Sequence, residues 1–355
     1  MRVDANHLAA TFLDYSVAGS GRLEAFVEGD TAKPEARLAL NLPRLSLGRR
    51  DGTAEYLSGR HFRLETTLPR FTLDPESIPV EAITTRIELP IAEVADISAY
   101  SDYLPLGAGL ELLGGNASLT ADLQLEGLHV QGDMTLRAFN SDLRVGEQRL
   151  RGDLSLDTRL REGDLETLTF DAAGTRLRLD NVMHEDAEGR RVQGWWAQLD
   201  LERGRLTWQQ PLNLSARFGL AMRDSGLLAN LFLSRAGERP RLARLLTVPM
   251  ISGHADVDLS DNRLHVSDLR LIGRNLEILA DLRLIDDIAR GEMYARFGAL
   301  RIGLALDEEG RNLQLFRPRR WYQSIEEARS EMDSRQPLPS DWQQEIEEPP
   351  AAPPR

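Results

Sequence analysis

The chain has 355 residues, with 43 Lys and Arg against 56 Asp and Glu, and a formal net charge of -13. That charge argues against a nucleic-acid partner, because duplex binding needs a basic face that displaces counterions. The sequence contains no cysteine, which excludes disulfides, zinc–thiolate sites, iron–sulfur clusters and thiol catalysis.

The first 29 residues have no targeting signature. They lack a charged start followed by an apolar run of about 7–15 residues, as a secretory signal has. No stretch of the chain approaches the roughly 20 consecutive apolar residues of a spanning helix. Leu23, Ala25 and Val27 alternate with polar residues instead, so the chain opens as if inside a β-sheet. We expect either a cytosolic protein or a piece of a longer polypeptide, and we favour the second.

Period-two alternation dominates the sequence. Within residues 117–125, leucine and alanine at odd positions point one way and polar residues point the other. Breaks such as Glu126-Gly127, Gly132-Asp133 and Asp261-Asn262 recur about every 8–12 residues, as between antiparallel strands. We expect about two dozen strands, more than an ordinary twisted sheet holds without curling. The sequence therefore predicts a mainly β fold: one long antiparallel curled sheet, forming a β-groove, with a few short helices.

Three segments break this pattern. Apolar residues at helical spacing predict a short helix within residues 91–103 and two more within 224–248. Ser324 and Glu327 have the spacing of a capping box, which predicts a helix over roughly residues 325–332. We divide the chain into an N-terminal β segment (1–90), a short helix with groove strands (91–222), a helix pair with C-terminal strands (223–318), and a short helix with a disordered, acidic, proline-rich tail (319–355).

Motifs that carry chemistry are missing from the sequence. The six histidines form no metal-binding pair, and His129 is expected on the polar face of its strand. Asp256, Asp258 and Asp261 resemble a calcium loop only superficially, since they alternate with Val257 and Leu259 as a strand does. No nucleophile elbow or phosphate loop is present. We expect no enzyme, no metal and no cofactor.

Two basic stretches remain open to two interpretations. Arg239, Arg241 and Arg244 alternate with leucines, which fits either a segment on an anionic membrane or a helix that caps the sheet. A second stretch contains Arg317, Arg319 and Arg320 beside Phe316, Trp321 and Tyr322. It fits either a contact with headgroups or a partner, or a terminal strand with snorkelling arginines.

The strands' apolar side chains predict what the groove holds. A curled sheet lined by aliphatic side chains, with few aromatics to plug it, is suited to acyl chains. Strands about 4.8 Å apart would extend the groove over roughly 100 Å, long enough to span a gap. The candidate lining residues are Leu119, Ala121, Leu123, Leu125, Leu128, Val130, Met134, Leu136, Val257, Leu259, Leu264, Val266, Leu282 and Leu284.

A family resemblance supports this interpretation. Residues 88–125 (ELPIAEVADISAYSDYLPLGAGLELLGGNASLTADLQL) run on to Gly132-Asp133, and a Gly-Leu-Leu segment at 226–228 precedes Gly253 and Asp258-Leu259. This succession of a short helix, a Gly-Gly turn and a strand ladder resembles the AsmA-like superfamily of Gram-negative envelope proteins, of the TamB and YdbH type. The resemblance covers about residues 89–315, and the sequence is most similar to the C-terminal portion of that family.

The resemblance implies a periplasmic β-groove protein, anchored in the inner membrane through an N-terminal region that this sequence does not include. It implies that the protein helps to move phospholipids between the inner and outer membranes. An outer-membrane β-barrel or an inner-membrane protein would be a further partner. The family has no catalytic residues to carry over.

Two other functions remain open. The chain could be a structural factor for outer-membrane protein assembly that binds a partner by strand addition at a sheet edge. It could also be a glycan-active β-solenoid enzyme or adhesin, although no constant repeat period is found.

Overall fold

A computed structural model describes residues 2–12, 14–28, 34–52, 55–69, 79–104, 110–146, 148–185, 190–209, 212–227, 247–260, 263–285, 288–307 and 310–335. Its first eight strands are β1 (Arg2–Phe12), β2 (Tyr15–Glu28), β3 (Glu35–Arg49), β4 (Glu55–Leu68), β5 (Thr84–Val94), β6 (Leu110–Glu126), β7 (His129–Val145) and β8 (Gln148–Asp164). The other ten are β9 (Thr169–Asp171), β10 (Arg176–Glu185), β11 (Arg191–Thr207), β12 (Asn213–Asp224), β13 (Pro249–Ser260), β14 (Arg263–Gly273), β15 (Leu276–Ile285), β16 (Ile288–Phe297), β17 (Leu300–Asp307) and β18 (Gly310–Gln314).

The strands form one open antiparallel sheet, as the alternation predicts. Each strand pairs with the next along the chain, except that β8 pairs with β10 and the three-residue β9 lies between the ends of β8 and β11. Strands β1 and β18 lie at the two edges. The described strands number eighteen rather than about two dozen because several are long: β6, β7, β8 and β11 have 17 residues each.

The helical segments differ from the sequence-based prediction. Strand β5 continues to Val94, and the expected helix within 91–103 is reduced to a 3-10 helix, Ile97–Tyr103, whose first turn is capped by the Asp96 side chain. Another 3-10 helix spans Val80–Ala82. The two helices expected within 224–248 lie almost wholly outside the described residues, as does the proline-rich tail.

The sheet curls until distant strands touch. Eight strand-to-strand steps, roughly 40 Å at the usual strand spacing, separate β2 from β11. Nevertheless, Nε1 of Trp208, just after β11, donates a hydrogen bond to the hydroxyl of Tyr15 at the start of β2, at 2.8 Å. The Trp208 and Tyr103 rings lie 4.6 Å apart between centroids. The accumulated twist of the strands therefore brings the two parts of the sheet together.

We call Tyr15, Tyr56, Tyr100, Tyr103 and Trp208 the aromatic seam. Their rings are tilted against one another at centroid separations of 4.6–6.4 Å, as in favourable aromatic pairs. Tyr100 donates from its hydroxyl to the carbonyl of Tyr56, and burial raises the pKa of Tyr100 to about 12. The seam joins β2, β4, the second 3-10 helix and the β11–β12 connection.

Gly132 shows how closely the strands approach. It was expected in a turn, but lies inside β7 at a bulge, with φ of 143°. A Cβ there would lie 2.2 Å from the carbonyl oxygen of Asp122 on β6. Only glycine permits both this backbone conformation and this approach.

An alanine held at positive φ costs roughly 1–2 kcal/mol. We expect Gly132→Ala to lower the free energy of unfolding by more than this, because the added Cβ also forces β6 and β7 apart. Gly298→Ala is the matched control, since Gly298 has φ of 59° and open space around its Cβ position. Urea denaturation followed by tryptophan fluorescence measures both. Equal losses for the two variants would contradict the close approach at Gly132.

Candidate functional site

A continuous row of apolar residues and glycines crosses the sheet on one face. Each member is paired in register with the next, over sixteen strands from β1 to β17 with only β9 outside the row. A one-residue slip in any pair would turn the following residues to the opposite face. The row consists of Leu8, Gly19, Leu45, Gly59, Ala92, Leu119, Leu136, Leu156, Leu177, Leu199, Leu220, Gly253, Leu271, Ile278, Ala295 and Ile302.

The candidate lining residues lie beside this row in two sets. On β6 and β7, the paired residues are Leu119–Leu136, Ala121–Met134 and Leu125–Val130, while Leu123 lies opposite Gly132. On β13, β14 and β15, Val257 pairs with Val266 and Val266 with Leu282, and Leu259 pairs with Leu264 and Leu264 with Leu284. Leu128 is the exception, because it lies in the β6–β7 turn and is exposed.

Burial divides the apolar face lengthwise into a core and a strip. The core includes Val94, Ala138 and Ile251, which are almost fully buried, and the second 3-10 helix adds Ile97 to it. Leu119, Ala121 and Leu136 pack against this core. Along the other ends of the strands, most candidate residues are only half-buried, as in Leu123, Leu259 and Leu284. Val130 is buried there, and a small second core cluster is formed by Ala172, Leu201 and Ala216. We call the half-buried candidate residues the open strip.

Sequence reasoning did not include several members of the apolar row among the lining residues. Leu8, Leu45, Leu199 and Leu220 are examples, although Leu199 alternates with Gln198 and Asp200 in the usual way. Alternation therefore marks Leu199 as an apolar-face residue, whereas Leu220 lies between Gly219 and Ala221 and has no polar neighbour in the sequence. Their membership of the row depends on strand pairing, which the local sequence does not encode.

Ion pairs between strands cover the opposite face. Arg86 contacts Asp122 at 3.0 Å, Arg137 contacts Asp157 at 2.7 Å, and Arg217 contacts Asp256 at 2.9 Å. The Arg86–Asp122 and Arg137–Asp157 pairs are largely exposed, so each contributes little to stability, whereas the Arg217–Asp256 pair is half-buried. Asp256 is thus a strand residue paired with an arginine. Within the described part of the chain, no group of three or more acidic, histidine or cysteine side chains is arranged to hold a metal ion.

A helix covers this polar face at the C-terminal edge. Helix α1 (Pro318–Arg335) begins at a proline, a residue suited to the first helical position, and not near Ser324 as the capping-box spacing predicts. The Ser324 hydroxyl donates to the carbonyl of Trp321 inside the helix. The terminal-strand interpretation of Arg319, Arg320 and Trp321 is therefore wrong, because all three lie in the first turns of α1.

Helix α1 is anchored by two buried carboxylates of β15. Arg319 donates to Glu277 at 2.9 Å, and Arg329 contacts Asp281 at 2.8 Å. Trp321 packs against Gly303 of β17, where an added Cβ would lie 2.7 Å from the indole ring. Arg319 and Trp321 are therefore held by the sheet, whereas Arg320 is exposed. Arg239, Arg241 and Arg244 lie outside the described residues.

No protein-family model matches this chain, and comparison with curated proteins and with solved structures finds no similar one. None of the helices in the described ranges is both long and apolar enough to cross a membrane.

The ionisation of Asp281 predicts a pH dependence of stability. Burial alone would raise its pKa, but the hydrogen bond from His265 and the charge of Arg329 outweigh burial and lower the pKa below 3.8. The ionised carboxylate therefore stabilises the fold above the unfolded-state pKa, and this contribution is lost as pH falls through the lower folded-state pKa.

We expect Asp281→Asn to lower the free energy of unfolding at neutral pH and to flatten its decline below about pH 4. Urea denaturation across this pH range measures the effect. Asp122→Asn, at an exposed ion pair on the same face, is the control and should leave the slope nearly unchanged. Parallel curves for the wild type and Asp281→Asn would contradict the assignment.

Proposed function

We propose that the apolar face is a groove that binds the acyl chains of phospholipids, and that the protein helps to move phospholipids between the inner and outer membranes from the periplasm. The observation that carries this proposal is the in-register apolar row beside a half-buried open strip. Leu123, Leu259 and Leu284 in this strip keep part of their apolar surface accessible. The periplasmic location, with an anchor in the inner membrane, rests on the resemblance to AsmA-like proteins.

The dimensions of the sheet support more than one lipid per chain. Seventeen successively paired strands, β9 aside, at about 4.8 Å each give a sheet that measures roughly 80 Å along its curve. One leaflet of a bilayer core is roughly 15 Å thick, which approximates the depth of one lipid's chains. Several acyl chains could therefore lie along the open strip, and native mass spectrometry should detect more than one phospholipid per chain.

Leu123 tests the groove directly. Because Leu123 is half-buried in the open strip, Leu123→Asp should leave the fold intact and reduce bound phospholipid, since the charged side chain would have to be desolvated beside an acyl chain. Native mass spectrometry after lipid loading measures occupancy, and circular dichroism measures folding. Gln124→Asp, the next residue on the polar face of the same strand, should change neither.

A charged substitution in the buried core should have a different effect from Leu123→Asp. Ala92 is fully buried, so Ala92→Asp should destabilise the protein by several kcal/mol and abolish folding and lipid binding together. If Leu123→Asp unfolds the protein as Ala92→Asp does, the strip is part of a dry core. If Leu123→Asp folds and retains full lipid occupancy, the groove proposal is wrong.

A structural role in outer-membrane protein assembly is the second candidate, and the edge strand β1 favours it. This strand has 11 residues and pairs only with β2 among the described strands. Its other edge could accept a strand from a partner barrel. Under this alternative, barrel binding would survive Leu123→Asp, and the purified protein would be compact and free of lipid.

A further inference from the structure

The turn end of β17 and the segment after β18 form an exposed apolar and basic surface. Leu315 and Phe316 have 68% and 72% of their surface exposed, the highest values among the large apolar residues that the structure describes. Leu300, at the start of β17, is exposed as well. Because β17 and β18 pair Gly303 with Gln314, the chain leaves the sheet at Leu315 and Phe316, near the turn end of β17. We call Leu300, Arg301, Leu315, Phe316, Arg317 and Arg320 the basic tip.

The charge of this region is opposite to that of the chain. Residues 293–306 and 310–325 contain six arginines and no Asp or Glu, in a protein whose net charge is -13. Two of these arginines, Arg296 and Arg319, share the single negative charge of the buried Glu277. No ion pair joins Arg301, Arg317 or Arg320 to a carboxylate within the described residues. The tip therefore carries uncompensated positive charge.

Local geometry holds the charged and apolar groups together. Arg317 has a left-handed backbone, with φ of 47°, and its guanidinium lies 5.2 Å from the centre of the Phe316 ring. Helix α1 starts at the next residue and is anchored to β15 through Arg319. The tip is thus presented on a fixed support, with aromatic and aliphatic side chains surrounded by arginines, as on surfaces that bind the membrane interface.

We infer that the basic tip docks the protein on an anionic phospholipid bilayer. Leu315 and Phe316 would enter the interfacial region, and Arg301, Arg317 and Arg320 would contact the phosphates. Charge complementarity favours this occupant over an apolar protein partner, because three unpaired arginines would be costly to desolvate in a protein interface. The inference concerns a second surface and does not depend on acyl chains entering the groove.

The test is sedimentation of the full chain with vesicles of phosphatidylcholine alone or mixed with phosphatidylglycerol. We expect binding only to the anionic vesicles, weakened by salt. Arg317→Gln with Arg320→Gln should weaken binding about 25-fold, at about fivefold per basic residue. Leu315→Ser with Phe316→Ser should weaken it at least tenfold. The control pair, Phe26→Ser with Val27→Ser on β2, removes similarly exposed apolar side chains and should have no effect.

The absence of cysteine allows a second readout, from a single attached probe. An environment-sensitive fluorophore on Phe316→Cys should shift to shorter wavelength with anionic vesicles, and one on Val27→Cys should not. Equal shifts at both sites, or equal binding to both kinds of vesicle, would overturn the inference. A third outcome would also overturn it: the wild type self-associates without lipid, and Leu315→Ser with Phe316→Ser abolishes this self-association but leaves vesicle binding unchanged. The tip would then be an interface between copies of the chain.

One variant separates this inference from the groove. Leu123→Asp, which should empty the groove, should still bind anionic vesicles like the wild type. If Leu123→Asp loses vesicle binding while the tip variants retain it, the vesicles are held through the groove and docking by the tip is refuted.

Discussion

Successive side chains of a β-strand point to opposite faces, and this chain keeps its apolar side chains on one face through sixteen paired strands. The pairing permits no slip, because the apolar row passes from Leu8 to Ile302 without a polar member. The described residues form no second sheet that could cover that face. The sheet has to curl over its own apolar side, and the aromatic seam between Tyr15 and Trp208 marks where the curl brings distant strands together.

The two faces of the sheet differ in how their side chains are solvated. On the polar face, arginines and carboxylates of neighbouring strands pair in water, so that face needs no cover. Where helix α1 does cover it, the buried Glu277 and Asp281 are paired with arginines of the helix and of β16, and Asp281 also contacts His265 of β14. On the apolar face, burial is complete near the second 3-10 helix and partial along the open strip. That difference is what distinguishes a groove from a core.

Alternation was sufficient to predict the sheet and the face on which Leu123 or Val257 lies, because a period of two is a local property. Alternation was insufficient for features whose position is determined by tertiary contacts. Helix α1 begins at Pro318, and its stability comes from Glu277 and Gly303, which local sequence cannot reveal. The pair Gly132-Asp133 predicts a turn, but Gly132 lies at a bulge because β7 continues through it. The seam joins residues 193 positions apart, and no sequence signal pairs them.

The strand order has a consequence for how the molecule unfolds. Because nearly every strand touches only its neighbours in the chain, the sheet resembles a linear array whose stability is a sum of nearest-neighbour terms. Contacts of this kind favour rapid, local folding, and they allow one end to fray while the other stays intact. The hydrogen bond and ring contacts of the aromatic seam are the exception, because they close a loop of eight strand-to-strand steps. Strands between β2 and β11 are therefore expected to unfold as one cooperative unit, and the strands from β12 to β18 as a more independent one.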